Sequence, residues 1–272
     1  MRIVQITDSH VQAPGVLWKN RVNMAARLAA GVAAANALAP DLVVHAGDVV
    51  DGGDDVAYAV AADLLSALDA PLRLLPGNHD ARDGMRRAFP AQAWPDGAFL
   101  GFAETHEGLT LLGLDTVEEH RTAGRFCADR AADLAARLAE APGPTLVFQH
   151  HPPCAMGLPH MDRFVFEGSD LYAEALAERP PLRIACGHVH AAAERHWAGT
   201  LVSACPALGV QIPPAARPDA PFGFIDGGAH LRVFDWDAAT GLTVKTVPVG
   251  PQDGPHPFET DPNADFDATP RA

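Results

Sequence analysis

Five short polar segments of this chain are rich in residues that bind metal ions. They are Asp8-Ser9-His10, Gly47-Asp48, Gly77-Asn78-His79-Asp80, His150-His151 and Gly187-His188-Val189-His190. Carboxylates, imidazoles and amide oxygens are ordinary donors for hard and borderline divalent cations. Asp8, His10, Asp48, Asn78, His150, His188 and His190 together outnumber the ligands that one tetrahedral ion takes. They suit two ions about 4 Å apart with one shared carboxylate.

The spacing gives each residue a reason. Asp8 and His10 stand two apart where a strand opens into a loop, so both can face one ion. His188 and His190 repeat that spacing, and each can serve a different ion. Asp48, alone after Gly47, is the natural bridging carboxylate. Glycines at 47, 77 and 187 let the backbone turn sharply beside the ions. Asn78 offers a neutral amide oxygen that an outer hydrogen bond can orient. His79 need not be a ligand. It can protonate a leaving oxygen or hold a charged substrate oxygen. Asp80 either orients His79 through its other ring nitrogen or caps the helix that follows.

Each segment falls at the carboxyl end of an expected strand, the edge where α/β sheets assemble their sites. Apolar runs predict those strands at 2–7, 41–46, 72–75, 145–149 and 182–186. Ala-rich stretches predict helices at 18–38, 54–68, 126–141 and 167–179. A hairpin is expected from 98–103 and 110–114. The last third reads as short strands at 201–204, 223–226, 230–235 and 243–248. Strand alternating with helix argues for a layered α/β architecture. Residues 1–249 read as one domain, with a Pro-, Asp- and Gly-rich irregular tail over 250–272. Residues 151–166 form a loop long enough to be functional. They either wall the substrate pocket or pack against a partner subunit in a homo-oligomer.

Composition sets the outer limits. The 272 residues carry a net charge of −14 and 13 histidines. So acidic a surface should repel long nucleic acid and anionic lipid. No run is long enough to span a membrane. The four cysteines show no CxxC spacing and read as free thiols in a reducing compartment, the cytoplasm.

In this order, the motifs DxH, GD, GNHD, a histidine after an apolar strand, and GHxH resemble the calcineurin-like metallophosphoesterase superfamily. The DSH opening, GNHD, and HHPP before the hydrophobic segment 154–161 resemble the class III cyclic nucleotide phosphodiesterases and bacterial glycerophosphodiesterases within it. The resemblance implies a four-layer α-β-β-α sandwich. It implies Asp8, His10, Asp48 and His190 on one ion, and Asp48, Asn78, His150 and His188 on the other. His79 then faces the substrate. The ions would be manganese, iron, zinc or cobalt. The chain reads TDSH where many relatives read SDxH, which keeps a hydroxyl.

The implied chemistry is hydrolysis of a small phosphodiester, either a cyclic nucleotide or a glycerophosphodiester, with hydroxide generated at the ions attacking phosphorus in line. Two divalent ions also outweigh the charges of Asp8 and Asp48, so the pocket is locally positive although the protein is acidic. Phosphomonoesterase or protein phosphatase activity at the same site is the alternative. A monoester dianion would want an arginine or lysine clamp, and none is obvious near the motifs; Arg82 is a partial candidate for the arginines that protein phosphatases carry beside such a site. A metal-binding scaffold without turnover is the remaining, distant reading. Arg163, Phe164 and the segment 219–224 are candidate rim residues.

Overall fold

A computed structural model describes residues 1–214, 217 and 219–250. In chain order the first half comprises β1 (Arg2–Ile6), α1 (Met24–Ala37), β2 (Leu42–Ala46), α2 (Asp55–Leu65), β3 (Leu72–Leu75), α3 (Arg82–Ala88), β4 (Phe102–His106) and β5 (Leu109–Leu114). The second comprises α4 (Ala128–Glu140), β6 (Thr145–Gln149), α5 (Ser169–Leu176), β7 (Arg183–Cys186), β8 (Ala193–Trp197), β9 (Thr200–Ala204), β10 (His230–Asp237) and β11 (Gly241–Pro248). The expected tail, 250–272, lies outside the described residues but for Gly250.

Two mixed sheets result, ordered β11-β10-β1-β2-β3 and β4-β5-β6-β7-β9-β8. The central strands β1, β2 and β3 run parallel, as do β5, β6, β7 and β9. β2 and β6 are buried at every position, which explains their unbroken apolar runs: a strand covered on both faces does not alternate. Ile3, Val44, Leu75, Leu111, Leu146 and Phe148 form the core between the sheets. On the outer face of the first sheet, α1 buries Met24, Leu28, Val32 and Ala35, a helical stripe. The other outer core gathers Leu134 and Leu138 of α4 and Tyr172 and Leu176 of α5. The order helix, sheet, sheet, helix is the expected four-layer α-β-β-α sandwich.

Several local expectations need correction. The first helix begins at Met24, not at residue 18, because the Asn23 side chain accepts a hydrogen bond from the Ala26 N–H and caps it. Trp18 and Val22 instead close a tight loop with Lys19 and Asn20 in the left-handed region. Residues 223–226 form no strand, only a bridge between Ile225 and Gln211. Phe222, Phe224 and Ile225 are exposed, so no buried face organises them. β8 was not anticipated. Its Glu194, Arg195 and His196 are exposed, and charged residues on an edge strand hide it from any apolar pattern. In the 151–166 loop, Met156 and Leu158 join the core beside α4 and α5. Met161 and Phe164 reach the cavity described next.

Candidate metal centre

The sheets leave the carboxyl ends of β1, β2, β3, β6 and β7 side by side, and the turns after them carry the candidate ligands. Asp8, His10, Asp48, His188 and His190 all have positive φ, between 43° and 70°. Left-handed backbone is costly for non-glycine residues and tends to collect at functional sites. Gly47 shares the conformation, at φ 96°. Gly77 and Gly187 do not. They are small because a Cβ at Gly77 would strike the Asp48 carboxylate, and one at Gly187 would strike Thr7 Oγ1.

Asp8, His10, Asp48 and His190 are buried and form one cluster of ligand-type atoms. His10 Nε2 and His190 Nε2 face each other at 3.1 Å. His190 Nε2 is 3.2 Å from Asp8 Oδ1, and His10 Nε2 is 3.5 Å from Asp48 Oδ2. The other oxygen of Asp8 accepts from Thr7 Oγ1 at 2.7 Å, the hydroxyl that the TDSH opening retains. His150 and His188 form a second cluster, with His151. His150 Nε2 lies 3.2 Å from Asp48 Oδ2, so Asp48 stands between the two groups.

The ring tautomers point the same way. His150 Nδ1 donates to Ala46 O and His190 Nδ1 donates to Val210 O, each at 2.8 Å. Each Nε2 lone pair is therefore free for a ligand bond. His150 Nε2 and Asn78 Oδ1 are buried without a hydrogen-bond partner. Orphaned acceptors so close to carboxylates are costly unless a cation satisfies them. The donor set therefore fits two divalent ions.

His151 is buried with Nδ1 2.8 Å from Thr116 Oγ1 and its ring 4.6 Å from His188. Burial and the neighbouring His188 and His150 hold its pKa well below the imidazole range, so it is neutral.

Asp80 serves neither role expected of it. Its carboxylate accepts N–H bonds from Val49, Val50 and Gly77 and a hydroxyl bond from Tyr58. It thereby ties the turn after β2 to the turn after β3. The cap of α3 is Ala81, with no side-chain bond. Burial and the Asp48 charge lift the Asp80 pKa to about 6.

Asp51, which the sequence did not single out, is the missing partner. It accepts from His10 Nδ1 at 2.9 Å, Gln12 Nε2 at 2.8 Å and Trp18 Nε1 at 3.3 Å, and lies 3.3 Å from His79 Nδ1. Its position three residues after Asp48, where the chain turns back over the strand ends, was the available clue. Burial pulls the His79 pKa down, but the bond to Asp51 and the Asp48 charge outweigh it and raise it to about 9. Asp51→Asn should loosen His10 and His79 together. A loss of about 10- to 100-fold in kcat is expected, the usual effect of removing a residue that orients metal ligands. Unchanged kcat would remove Asp51 from the site.

Burial lowers the His150 pKa, but the charge of Asp48, 3.2 Å from its Nε2, wins and carries it to about 9; the Asp8 charge likewise raises that of His190. The metal-free chain is therefore stabilised by these pairs below the unfolded imidazole value of 6.5, and that contribution is lost as pH rises through about 9. Divalent ions must displace the same protons, so affinity should fall about tenfold per pH unit for each proton displaced below that range. Calorimetric titration with Zn²⁺ in buffers of differing ionisation enthalpy should reveal proton release at pH 7.5. Absence of release would contradict the assignment of these ring nitrogens as ligands.

The model of the calcineurin-like phosphoesterase family matches residues 1–192. The chain is 30% identical over 264 residues to a protein named probable glycerophosphodiester phosphodiesterase from Arcobacter nitrofigilis, covering 95% of this chain and 97% of that one. It is 36% identical over 206 residues to a probable cyclic nucleotide phosphodiesterase from Rhodopseudomonas palustris, covering 73% and 75%. Among solved structures, a dimetal phosphatase from Danio rerio superposes with a TM-score of 0.60 at 14% identity, covering 92% of this chain and 99% of that one. A sandwich of two mixed sheets with this cluster at its strand ends is the architecture of a metallophosphoesterase. The chain belongs to the calcineurin-like phosphoesterase family.

Proposed function

We propose that this protein hydrolyses small phosphodiesters at a binuclear centre. Asp8, His10, Asp48 and His190 hold one ion, and Asp48, Asn78, His150 and His188 hold the other. The observation that carries this reading is Asp48 Oδ2, placed between the Nε2 atoms of His10 and His150. Two divalent ions there supply Lewis acidity and a nucleophile at neutral pH. Manganese, iron, zinc and cobalt all suit such ligands.

The residues around them do the rest. His79 donates Nδ1–H to Asp51, which leaves Nε2 as the atom that meets the ester. Its raised pKa keeps a proton there for the departing oxygen. The backbone N–H of His79 donates to Asp48 Oδ1 at 2.8 Å, which fixes the imidazole relative to the bridging carboxylate.

A diester is favoured over a monoester because Arg82 is already engaged. Its guanidinium donates to both oxygens of Asp115, at 2.7 and 3.0 Å, and to Val117 O. It is not free to clamp a dianion. The four thiols are free, which suits the cytoplasm. No helix among the described residues is long and apolar enough to cross a membrane.

The test is turnover of bis(p-nitrophenyl) phosphate and p-nitrophenyl phosphate by protein loaded with Mn²⁺, Fe²⁺, Co²⁺ or Zn²⁺. Diester turnover should exceed monoester turnover. No diester turnover with any of these metals would sink the proposal.

A further inference from the structure

The ligand turns open into a cavity of about 520 Å³ lined by Trp18, Lys19, Phe164 and Phe222 among others. Two fully buried polar side chains beside those turns, Ser9 and His45, do not line it and have no place in either ligand group. Any part they take must pass through the ligands themselves.

His45 faces away from the second sheet. Side chains alternate along a strand, and Val43, two residues earlier on β2, belongs to the outer core with Leu28 and Val32 of α1. The neighbours of His45 in register, Ile6 on β1 and Leu74 on β3, belong to that same core. An imidazole in so apolar a layer needs a reason. Its Nδ1 is buried with no hydrogen-bond partner, and such a nitrogen is costly. A leucine would fill the place without that cost.

The other ring nitrogen supplies the reason. Ser9 Oγ lies 2.9 Å from Val49 O and 2.8 Å from His45 Nε2. A hydroxyl has one hydrogen, and a carbonyl only accepts. Ser9 therefore donates to Val49 and accepts from His45, which fixes the ring proton on Nε2. This relay of two bonds runs from β2 through the turn after β1 to the turn after β2.

Both turns carry ligands. Ser9 stands between Asp8 and His10, whose φ values are 54° and 43°, and Val49 follows Asp48, at 53°. Left-handed backbone of this kind persists where its surroundings over-determine it. Main-chain bonds from Asp8 N to Gly47 O, His10 N to Asp48 O and Val11 N to Val49 O zip the two turns together. The Ser9 hydroxyl adds a side-chain tie in the middle of that zip, and His45 holds the hydroxyl in place.

We infer that His45 is a positioning residue for the ion held by Asp8, His10, Asp48 and His190, and that it acts through Ser9. The inference rests on the metal-centre reading proposed above.

The test is calorimetric titration of the metal-free protein with Zn²⁺ at pH 7.5, beside urea unfolding of the same metal-free samples. Ser9→Ala and His45→Leu should each weaken one of the two ions about 10- to 100-fold, the usual effect of losing an outer partner of metal ligands. The other ion should change by less than about threefold. Because His45 acts through Ser9, the double variant should bind no more weakly than Ser9→Ala alone. His45→Gln can present an amide N–H near the Nε2 position and should recover most of the lost affinity. Metal-free His45→Leu should unfold at a urea concentration no lower than wild type, since the orphaned nitrogen goes with the ring.

Two ions in the wild type, with affinities unchanged in both Ser9→Ala and His45→Leu, would overturn the inference and leave the metal centre standing. So would additive losses in the double variant, or no recovery in His45→Gln. Earlier unfolding of metal-free His45→Leu would assign the ring to the core and overturn the inference as well. Wild-type protein that takes up fewer than two ions would remove the metal centre, and the inference with it.

Discussion

Asp48→Ala is expected to abolish phosphodiesterase activity and to weaken both ions at once. Among the described residues Asp48 is the one carboxylate paired with both His10 and His150, at 3.5 and 3.2 Å. Removing it also leaves the His79 N–H without its acceptor. The loss should exceed the roughly 10²–10³-fold seen when a single transition-state donor is deleted. Metal content by mass spectrometry should drop well below two ions per chain. Asn78→Ala is the control, since it should weaken only the ion near His150 and His188. Asp48→Asn keeps the side-chain shape and guards against misfolding as the explanation. Two ions retained at wild-type affinity in Asp48→Ala would rule out a bridging role.

The convergence of these buried Asp and His side chains was legible because metal binding needs particular donor types at particular strand ends, and both leave marks in sequence. Short apolar runs followed by Asp, Asn or His located the edge where those turns converge. Asp51 left no such mark. An aspartate before two glycines reads as turn chemistry, and its role appears only when the turns after β1 and β3 are brought against it. Asp80 misled for the related reason that adjacency to His79 in the chain is not contact between side chains. It faces back onto backbone N–H groups while Asp51 faces the imidazole. Trp18 was hidden by helix propensity in the Ala-rich run behind it. The capping bond of Asn23 overrides that propensity and frees the indole to line the cavity.

The acidic character of the chain also takes on a sharper meaning. Asp51 adds a third carboxylate beside Asp8 and Asp48, and its carboxyl is held well below the ordinary range despite burial, chiefly by the His10 and His79 bonds. Two divalent ions would still leave a positive excess, but a smaller one than Asp8 and Asp48 alone suggest. A modest excess suits a monoanionic diester better than a dianion. Lys19 and Arg163 at the mouth add positive charge where an approaching anion first meets the site.

His79→Ala should separate the ester classes. An alkoxide is a poor leaving group and needs a proton as it departs, whereas p-nitrophenolate does not. General acid catalysis is worth about 10²–10⁴-fold, so alkyl diesters should slow by that factor and bis(p-nitrophenyl) phosphate by less than about tenfold. Both ions should remain bound, because His79 lies outside the two ligand groups. The pH profile supplies a second readout. A general acid must be protonated, so wild-type turnover of alkyl diesters should fall as pH rises through the His79 pKa. That value is about 9 without ions, and bound cations would move it lower. The basic limb should vanish in His79→Ala and shift to lower pH in Asp51→Asn, which removes the charge and the bond that hold the proton. Equal losses on alkyl and aryl diesters would instead assign His79 to a non-bridging phosphoryl oxygen, since that oxygen gains charge whichever alcohol leaves.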